Sequence, residues 1–129
     1  MNYYFNKKFA GIEFDEGIEM VTEELKKEGF GILTEVDVKA TFKKKLDIDF
    51  RKYKILGACN PPSAFKALNA EHTIGLMLPC NVVVEEDEDG YISISAINPL
   101  ATMQAADNKE LIEVAKHISG KLKKVIDAL

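Results

Sequence analysis

The fold is decided by the stretch Glu85-Glu86-Asp87-Glu88-Asp89-Gly90-Tyr91-Ile92-Ser93-Ile94-Ser95-Ala96-Ile97. Its Asp-Gly pair is a strong hairpin signal, because glycine tolerates the positive φ that a tight turn between strands requires. After the turn, every second residue from Ile92 is apolar, which is typical of a strand with one buried face. Before the turn, residues 74–85 are almost continuously apolar, which predicts a central strand covered on both faces or packed in an interface.

Outward from this hairpin, three more strands are predicted where the apolar pattern has a period of two. They cover residues 3–9, 30–38 and 53–59. Short helices are predicted over residues 39–46 and 61–68, where Asp37 and Asn60 stand at the N-cap positions. Pro61 follows Asn60 at the first helical position, where a missing N–H group removes no hydrogen bond.

Two long amphipathic helices complete the pattern. The first is predicted over residues 15–28, with Asp15 as its N-cap and Gly29 as its C-terminal stop. The second is predicted over residues 107–128, and Asn98-Pro99 before it repeats the cap-and-proline pattern. Each helix carries one apolar stripe, so both can pack on the same face of a sheet. The sequence therefore predicts a two-layer α+β fold in the order β-α-β4-α, with a mainly antiparallel sheet and the two long helices on one face.

The composition is that of an ordinary globular protein. A chain of 129 residues fits a single domain, residues 1–129, which can bury a core without a disulfide or a metal. A net charge of -4 gives no reason to expect nucleic acid or an anionic membrane as a partner. No targeting segment or stretch of bilayer length is visible, so we expect a cytoplasmic protein with reduced cysteines.

The common catalytic motifs are missing from the sequence. There is no glycine-rich phosphate loop, no Gly-x-Ser-x-Gly elbow and no His-Glu-x-x-His. His72 and His117 are the only histidines, which leaves two candidates for an imidazole base. The sequence identifies no cofactor and does not decide whether the protein is an enzyme.

The most distinctive feature is a pair of Cys-Asn segments, Ala58-Cys59-Asn60-Pro61 and Pro79-Cys80-Asn81-Val82. Proline cannot donate to a strand ladder, so Pro79 predicts a bulge or an unpaired edge within its strand. Bulges re-aim side chains and are frequent beside binding sites. If the two strands are neighbours, both thiols line one pocket, where the two asparagine amides supply hydrogen bonds. The candidate ligand-binding residues here are Cys59, Asn60, Pro79, Cys80 and Asn81.

Other interpretations of the two cysteines stay open. Free cysteine packs as a small buried hydrophobe, and an inert core position explains both residues equally well. A reactive thiolate needs a neighbouring cation or a metal, and the sequence fixes no cation beside either sulfur. A zinc site needs two further ligands, and the spacing of His72 from the cysteines matches no standard zinc pattern. No metal site is therefore predicted.

Charged residues form a second candidate site. Between residues 39 and 54, seven basic residues stand against two acidic ones, which suits either an anionic ligand or a solvated helix face. Glu35 and Asp37 stand two residues apart on one predicted strand, so they share a face where paired acids can do acid–base work or bind a cation. Glu35 and Lys39 are therefore added to the candidate ligand-binding residues.

Four motifs, taken in order, resemble the prokaryotic domain-of-unknown-function family 302 over nearly the whole chain. They are Glu28-Gly29-Phe30-Gly31-Ile32-Leu33-Thr34-Glu35, Asp37-Val38-Lys39-Ala40-Thr41, Ile55-Leu56-Gly57-Ala58-Cys59-Asn60-Pro61 and Leu78-Pro79-Cys80-Asn81-Val82. The resemblance implies a curved sheet similar to the TATA-binding-protein-like fold, which agrees with the element order above, and it implies a homodimer. It implies no activity, and likeness to a DNA-binding fold is analogy only.

Three functions are compatible with these features. The first, which we favour, is a small-ligand-binding or accessory homodimer with a pocket near the Cys-Asn segments. The second is a thiol-dependent enzyme, or a redox or metal-binding protein, that uses Cys59 and Cys80. The third is a purely structural interaction module whose interface includes Met20, Met77 and the apolar run from Ile74.

Overall fold

The computed structural model describes residues 2–129. The strands are β1 (Tyr4–Phe9), β2 (Gly31–Asp37), β3 (Tyr53–Cys59), β4 (Cys80–Glu86) and β5 (Ile92–Ile97). The helices are α1 (Phe14–Lys27), α2 (Val38–Leu46), α3 (Pro61–Ala70), α4 (Pro99–Thr102) and α5 (Lys109–Asp127). Two 3-10 turns, His72–Met77 and Met103–Ala106, follow α3 and α4. The strands and the two long helices occur in the predicted order, which confirms the α+β fold class.

The five strands form one open antiparallel sheet in the order β1-β5-β4-β3-β2. The predicted hairpin joins β4 to β5, with Val84 opposite Ile94. On its other side β5 pairs with β1, the first strand of the chain, which forms one edge of the sheet and places Asn6 opposite Ser95. The mainly antiparallel sheet predicted from the sequence is therefore confirmed, with β4 at its centre.

The acidic hairpin turn is held by the side chain of Asp87. Its carboxylate accepts hydrogen bonds from the N–H groups of Asp89 and Tyr91, each at 3.0 Å, and from the Lys8 ammonium at 3.1 Å. Desolvation acts to raise the pKa of Asp87, but these hydrogen bonds outweigh it and hold that pKa below its usual range. Gly90 takes a φ of 82°, as the Asp-Gly signal requires.

The main core lies between one face of the sheet and the two long helices. Five side chains of β4 and β5 that point toward the helices are at most 1% exposed: Val82, Val84, Ile92, Ile94 and Ala96. Val21 and Leu25 of α1 and Leu122 and Val125 of α5 pack against them. Burial of these apolar stripes is the main force that holds the two layers together. No helix within residues 2–129 is long and apolar enough to cross a membrane.

The strand predicted across residues 74–85 is wrong in its first half. Residues His72–Met77 form a 3-10 turn, and β4 begins only at Cys80. Pro79 has no N–H group to donate, so the hydrogen-bonded ladder starts immediately after it. The expectation that this strand is covered on both faces is also wrong, because Val82 is buried while Asn81 next to it is exposed.

The bulge predicted at Pro79 is wrong as well. Pro79 precedes its strand and does not interrupt it. The irregularity of the sheet lies in β2, where the register with β3 skips Leu33 between Ile32 and Thr34. An extra residue at this position leaves the Leu33 side chain exposed at the edge of the sheet.

Three predicted helix starts also need correction. Glu13 is the residue before α1, so Asp15 lies in the first turn, where its charge complements the helix dipole. Asn98 precedes α4, but its side chain does not cap that helix and binds Ser119 of α5 instead. Asn108 caps α5, which therefore begins two residues later than the sequence pattern predicts.

Candidate functional site

The end of β3 and the start of β4 meet α3, α4 and α5 around a cavity of about 290 Å³, here called the apolar pocket. Its lining consists of Phe30, Leu33, Ala58, Cys59, Asn60, Ser63, Ala64, Ala67, Leu68, Leu78, Pro79, Cys80, Pro99, Met103, Val114, Ala115 and Ile118. None of the residues that line it within the described chain carries a formal charge. Leu33 and Leu68 are exposed and mark the mouth of the pocket.

Four predicted ligand-binding residues come together at the apolar pocket: Cys59, Asn60, Pro79 and Cys80. Asn81 does not join them and lines a separate depression on the opposite face of the sheet. The reason is the alternation of side chains along a strand, since Cys80 faces the helices and its successor must face away. The apolar pocket therefore has one of the two asparagine amides.

The two cysteines share a wall of the apolar pocket. Ala58 lies opposite Cys80 in the β3–β4 ladder, and Cys59 follows Ala58 at the strand end. Both cysteines are free. Cys80 is 8% exposed, and burial, with a smaller contribution from the neighbouring Cys59, raises the pKa of the Cys80 thiol to about 11. A thiolate nucleophile requires the opposite shift, so at neutral pH Cys80 is an uncharged part of the wall.

Asn60 is held by hydrogen bonds on both ends of its amide. Its Oδ1 accepts from the N–H group of Ser63 at 3.3 Å, which confirms Asn60 as the N-cap of α3. Its Nδ2 donates to the carbonyl of Glu28 at 3.2 Å, which fastens the end of α1. Gly29, with a φ of 84°, ends α1 and leaves room for this amide, since a Cβ there would lie 3.1 Å from Nδ2. Asn60 is thus a structural anchor at the pocket.

Pro79 packs closely onto the sheet at Gly57. A Cβ added at Gly57 would lie 2.6 Å from Cγ of Pro79 and would also collide with the side chain of Thr34. Only glycine at position 57 therefore allows the Pro79 ring to approach the strand this closely. Pro79 is thereby fixed against the end of β3, and it also lines the apolar pocket.

Glu35 and Lys39 lie outside the apolar pocket. Glu35 pairs with Lys54 at 2.7 Å, and this hydrogen bond raises the pKa of Lys54 although desolvation opposes the rise. Lys39 donates from Nζ to the carbonyl of Phe50 at 2.7 Å. Asp37 caps α2, as predicted. These charged groups are occupied by local contacts, and the structure does not bring them together with the cysteines.

Several lining residues come from the C-terminal third of the chain, which the sequence analysis did not assign to a site. They are Pro99, Met103, Val114, Ala115 and Ile118. Ala115 belongs to the apolar stripe of the last helix, and Ala64 and Ala67 face it from α3. Small side chains at facing positions of two helices leave space between the helices. These alanines are the signal in the sequence that points to the cavity.

No metal centre is present in the part of the chain that the structure describes. Among residues 2–129, no three side chains of His, Cys, Asp or Glu lie close enough together to hold a metal ion. The lining of the apolar pocket itself offers apolar surface and a few uncharged polar groups.

Comparison with known proteins gives a family and a fold. Residues 5–129 match the family described as Domain of unknown function DUF302. The chain is similar to the crystal structure of an uncharacterized conserved protein DUF302 from Bacillus stearothermophilus, with a TM-score of 0.88 and 30% sequence identity over 97% of this chain and 96% of that chain. No curated protein matches the chain. The family match begins within β1 and includes the other four strands and both long helices.

Proposed function

The chain belongs to the family of domain of unknown function DUF302, and from that premise we propose that it is a small-ligand-binding protein whose apolar pocket takes an uncharged, mainly apolar molecule. The family assigns no activity, so the proposal depends on the pocket itself. The observation that carries it is a cavity of about 290 Å³ whose lining, within residues 2–129, contains no charged side chain. Cavities of this composition are typical of sites for small organic molecules.

The size of the cavity limits the size of the ligand. An apolar cavity of about 150 Å³ accepts benzene. The apolar pocket, at about 290 Å³, has roughly twice that volume. A ligand of roughly ten non-hydrogen atoms would therefore fill it, which corresponds to a medium-length aliphatic chain or a small bicyclic ring system.

Polar groups at the wall are few and uncharged. Ser63 is 7% exposed, and its hydroxyl can donate one hydrogen bond and accept others. The Cys59 thiol is a weak donor, and the amide of Asn60 is already used in two hydrogen bonds. This arrangement favours a ligand with one neutral polar group, such as a hydroxyl or a carbonyl. A carboxylate would lose its hydration without gaining a counter-charge.

A titration of the native protein with 1-octanol and, in parallel, with octanoate tests this proposal. Amide chemical shifts measured by NMR report binding at individual residues. We expect saturable shifts at Cys59, Ala64 and Ile118 with octanol, and affinity at least about tenfold lower for octanoate, because burial of its carboxylate is costly. The absence of saturable shifts with octanol would overturn the proposal. Equal affinity for the two compounds would overturn the requirement for an uncharged ligand.

A cavity-filling variant provides the matched control. Ala64→Leu places a longer side chain in the apolar pocket and is expected to lower octanol affinity by about tenfold or more, since the volume available to the ligand is lost. Ala40→Leu makes the same change at an exposed position of α2 and should leave the affinity within about twofold of the original. Circular dichroism checks that both variants are folded. Equal octanol affinity in both variants would locate binding outside the pocket.

The proposed partner of the protein is a second copy of the same chain. Exposed apolar side chains on α3 and the following 3-10 turn, here called the apolar rim, support this assembly. They are Phe65, Leu68, Leu76 and Met77. Leu76 is 89% exposed, and Leu68 also lines the apolar pocket, so the rim is continuous with the pocket mouth. Exposed apolar side chains grouped on one helix and the turn after it are typical of protein interfaces.

Sedimentation equilibrium tests the homodimer. We expect a dimer at micromolar concentration and a monomer for Leu76→Asp, because a buried carboxylate without a partner opposes association. Val36→Asp places the same charge on an exposed apolar residue of β2, away from the apolar rim, and should remain dimeric. A monomeric wild-type protein over the same concentrations would contradict the proposal.

A thiol-dependent activity is the second candidate function, and the burial of Cys80 argues against it. The raised pKa of Cys80 disfavours the thiolate that such chemistry requires. Free cysteines suit a reducing compartment, which supports a cytoplasmic location. The net charge of -4 supports partners other than nucleic acid and anionic membranes.

A further inference from the structure

The face of the sheet opposite the helices carries a second depression, of about 430 Å³, here called the sheet-face depression. It is separate from the apolar pocket, because the sheet lies between them. Its floor is formed by alternate residues of β1, β4 and β5, among them Asn6, Asn81 and Ser95. Tyr3, Tyr4 and Tyr53 also line it. One face of an antiparallel sheet is commonly exposed to water without binding a ligand. A ligand site on this face must therefore be argued from polar groups that lack hydrogen-bond partners.

The charged groups around the sheet-face depression neutralise one another. Lys8 pairs with Asp87 at 3.1 Å, and Arg51 pairs with Glu85 at 3.0 Å. Arg51 also lies 5.5 Å from the centre of the Tyr53 ring, where a cationic ligand would otherwise stack. An anion or a cation entering the depression would therefore meet no unpaired counter-charge. A neutral ligand avoids this conflict.

The uncharged polar groups, in contrast, are incompletely paired. Asn6 donates from Nδ2 to Oγ of Ser93 at 2.8 Å and to Oγ of Ser95 at 2.9 Å. Each serine thus accepts a hydrogen bond, and within residues 2–129 neither hydroxyl proton has an acceptor. The Asn6 carbonyl and both ends of the Asn81 amide also make no hydrogen bond within the described chain. The floor therefore presents two hydroxyl donors beside two amide groups.

The aromatic residues supply flat apolar walls with hydroxyl groups at their edges. The rings of Tyr3 and Tyr4 lie 4.9 Å apart in an edge-on arrangement. Burial, followed by the nearby Glu85 carboxylate, raises the pKa of Tyr53, so this phenol stays protonated and able to donate. A ring-shaped molecule with an apolar face and hydroxyl groups around its edge would meet both kinds of surface.

We infer that the sheet-face depression binds a neutral sugar ring. The unpaired serine hydroxyls and the Asn81 amide bind the sugar hydroxyl groups, and the tyrosine rings cover its apolar face. The ion pairs disfavour phosphorylated and amino sugars, because a charged substituent would find Lys8, Arg51, Glu85 and Asp87 already paired with one another. A second copy of this chain is the competing occupant of the same face.

An NMR titration of the native protein with glucose, galactose, N-acetylglucosamine and glucose 6-phosphate tests this inference. The side-chain amide signals of Asn6 and Asn81 report the depression directly. We expect saturable shifts of these signals with at least one neutral sugar and none with the phosphorylated sugar. No shift with any neutral sugar at millimolar concentration overturns the inference. Shifts of the same signals on dilution without sugar also overturn it, since they assign this face to a contact between copies of the chain.

One substitution separates ligand binding from folding. Asn81→Ala removes an exposed amide that has no hydrogen-bond partner in the described chain, so the fold should be retained. We expect sugar affinity to fall about fivefold or more, the loss that one or two neutral hydrogen bonds produce. Asn69→Ala, on an exposed position of α3, should leave sugar affinity unchanged. Equal affinities in the two variants would overturn the assignment of Asn81.

Discussion

At the scale of single residues, burial of Cys80 destabilises its thiolate more than its thiol, because the charged form loses more hydration. The pKa of Cys80 rises from the ordinary 9.0 to about 11 because the side chain is surrounded by apolar groups and lies near Cys59. Its neighbour Asn81 points to the other face of the sheet and contributes to a different depression. Adjacent residues in one motif therefore have separate physical roles.

This pKa predicts a loss of stability in alkaline solution. The unfolded thiol ionises near pH 9.0, whereas the folded one stays protonated up to about 11, so the unfolded state binds fewer protons in this window and is favoured as the pH rises. The free energy of unfolding should fall by about 2–3 kcal/mol more in the wild-type protein than in Cys80→Ala across this range. Urea denaturation at a series of pH values measures the difference.

Cys59→Ala is the control for this prediction. Because burial is the main cause of the shift at Cys80, this variant should keep most of the alkaline loss. The comparison with Cys80→Ala also removes the contribution of lysines and tyrosines that titrate in the same range. Parallel curves for the wild-type protein and Cys80→Ala would contradict the raised pKa.

At the scale of elements, Asn60 joins the end of β3, the start of α3 and the end of α1. Asn60→Ala should lower the free energy of unfolding by about 2 kcal/mol, because it removes the helix cap and the hydrogen bond to the Glu28 carbonyl. Asn60→Ser should recover about half of this loss, since a serine hydroxyl can still cap α3 but does not replace the amide donor to Glu28. Asn69→Ala, in the exposed part of α3, should change stability by less than about 0.5 kcal/mol. Equal losses for Asn60→Ala and Asn60→Ser would show that the cap contributes nothing.

Local signals in the sequence explain which elements were predictable. Asp37 and Asn60 cap helices through residues three positions away, so their roles are readable from a short window. The hairpin at Gly90 is also readable from a short window, because the Asp-Gly pair itself indicates the turn. The run from Ile74 was misassigned because a continuous apolar stretch has no period that separates a strand from a buried turn.

The apolar pocket was only partly predictable because it is a product of long-range packing. Cys59 and Cys80 meet because β3 and β4 are neighbours, which the sequence analysis stated as a condition. Ala67 and Ala115 face each other across α3 and α5, and no local pattern specifies that contact. The opposite directions of Cys80 and Asn81, by comparison, follow from strand alternation once the start of β4 is known.

At the scale of the whole molecule, a buried hydrogen-bond network ties the last helix to the start of the chain. Ser119 in α5 donates from Oγ to Oδ1 of Asn98 at 2.6 Å and accepts from the N–H group of Leu100 at 2.9 Å. Asn98 in turn donates from Nδ2 to the carbonyl of Asn2 at 3.0 Å. The network thereby connects α5, α4 and the segment that leads into β1. Ile118, next to Ser119 in α5, lines the apolar pocket.

Removal of this hydroxyl should affect the global stability of the fold. Ser119→Ala leaves the Asn98 carbonyl oxygen and the Leu100 N–H group buried without their partner, and we expect the free energy of unfolding to fall by about 2–3 kcal/mol. Thr22→Ala removes a hydroxyl of α1 that bonds only within its own helix, and should cost less than about 1 kcal/mol. Chemical denaturation of the two variants under identical conditions measures both values. Equal, small losses would mean that water replaces the missing hydroxyl, and that the contact between α5 and the start of the chain depends on apolar packing alone.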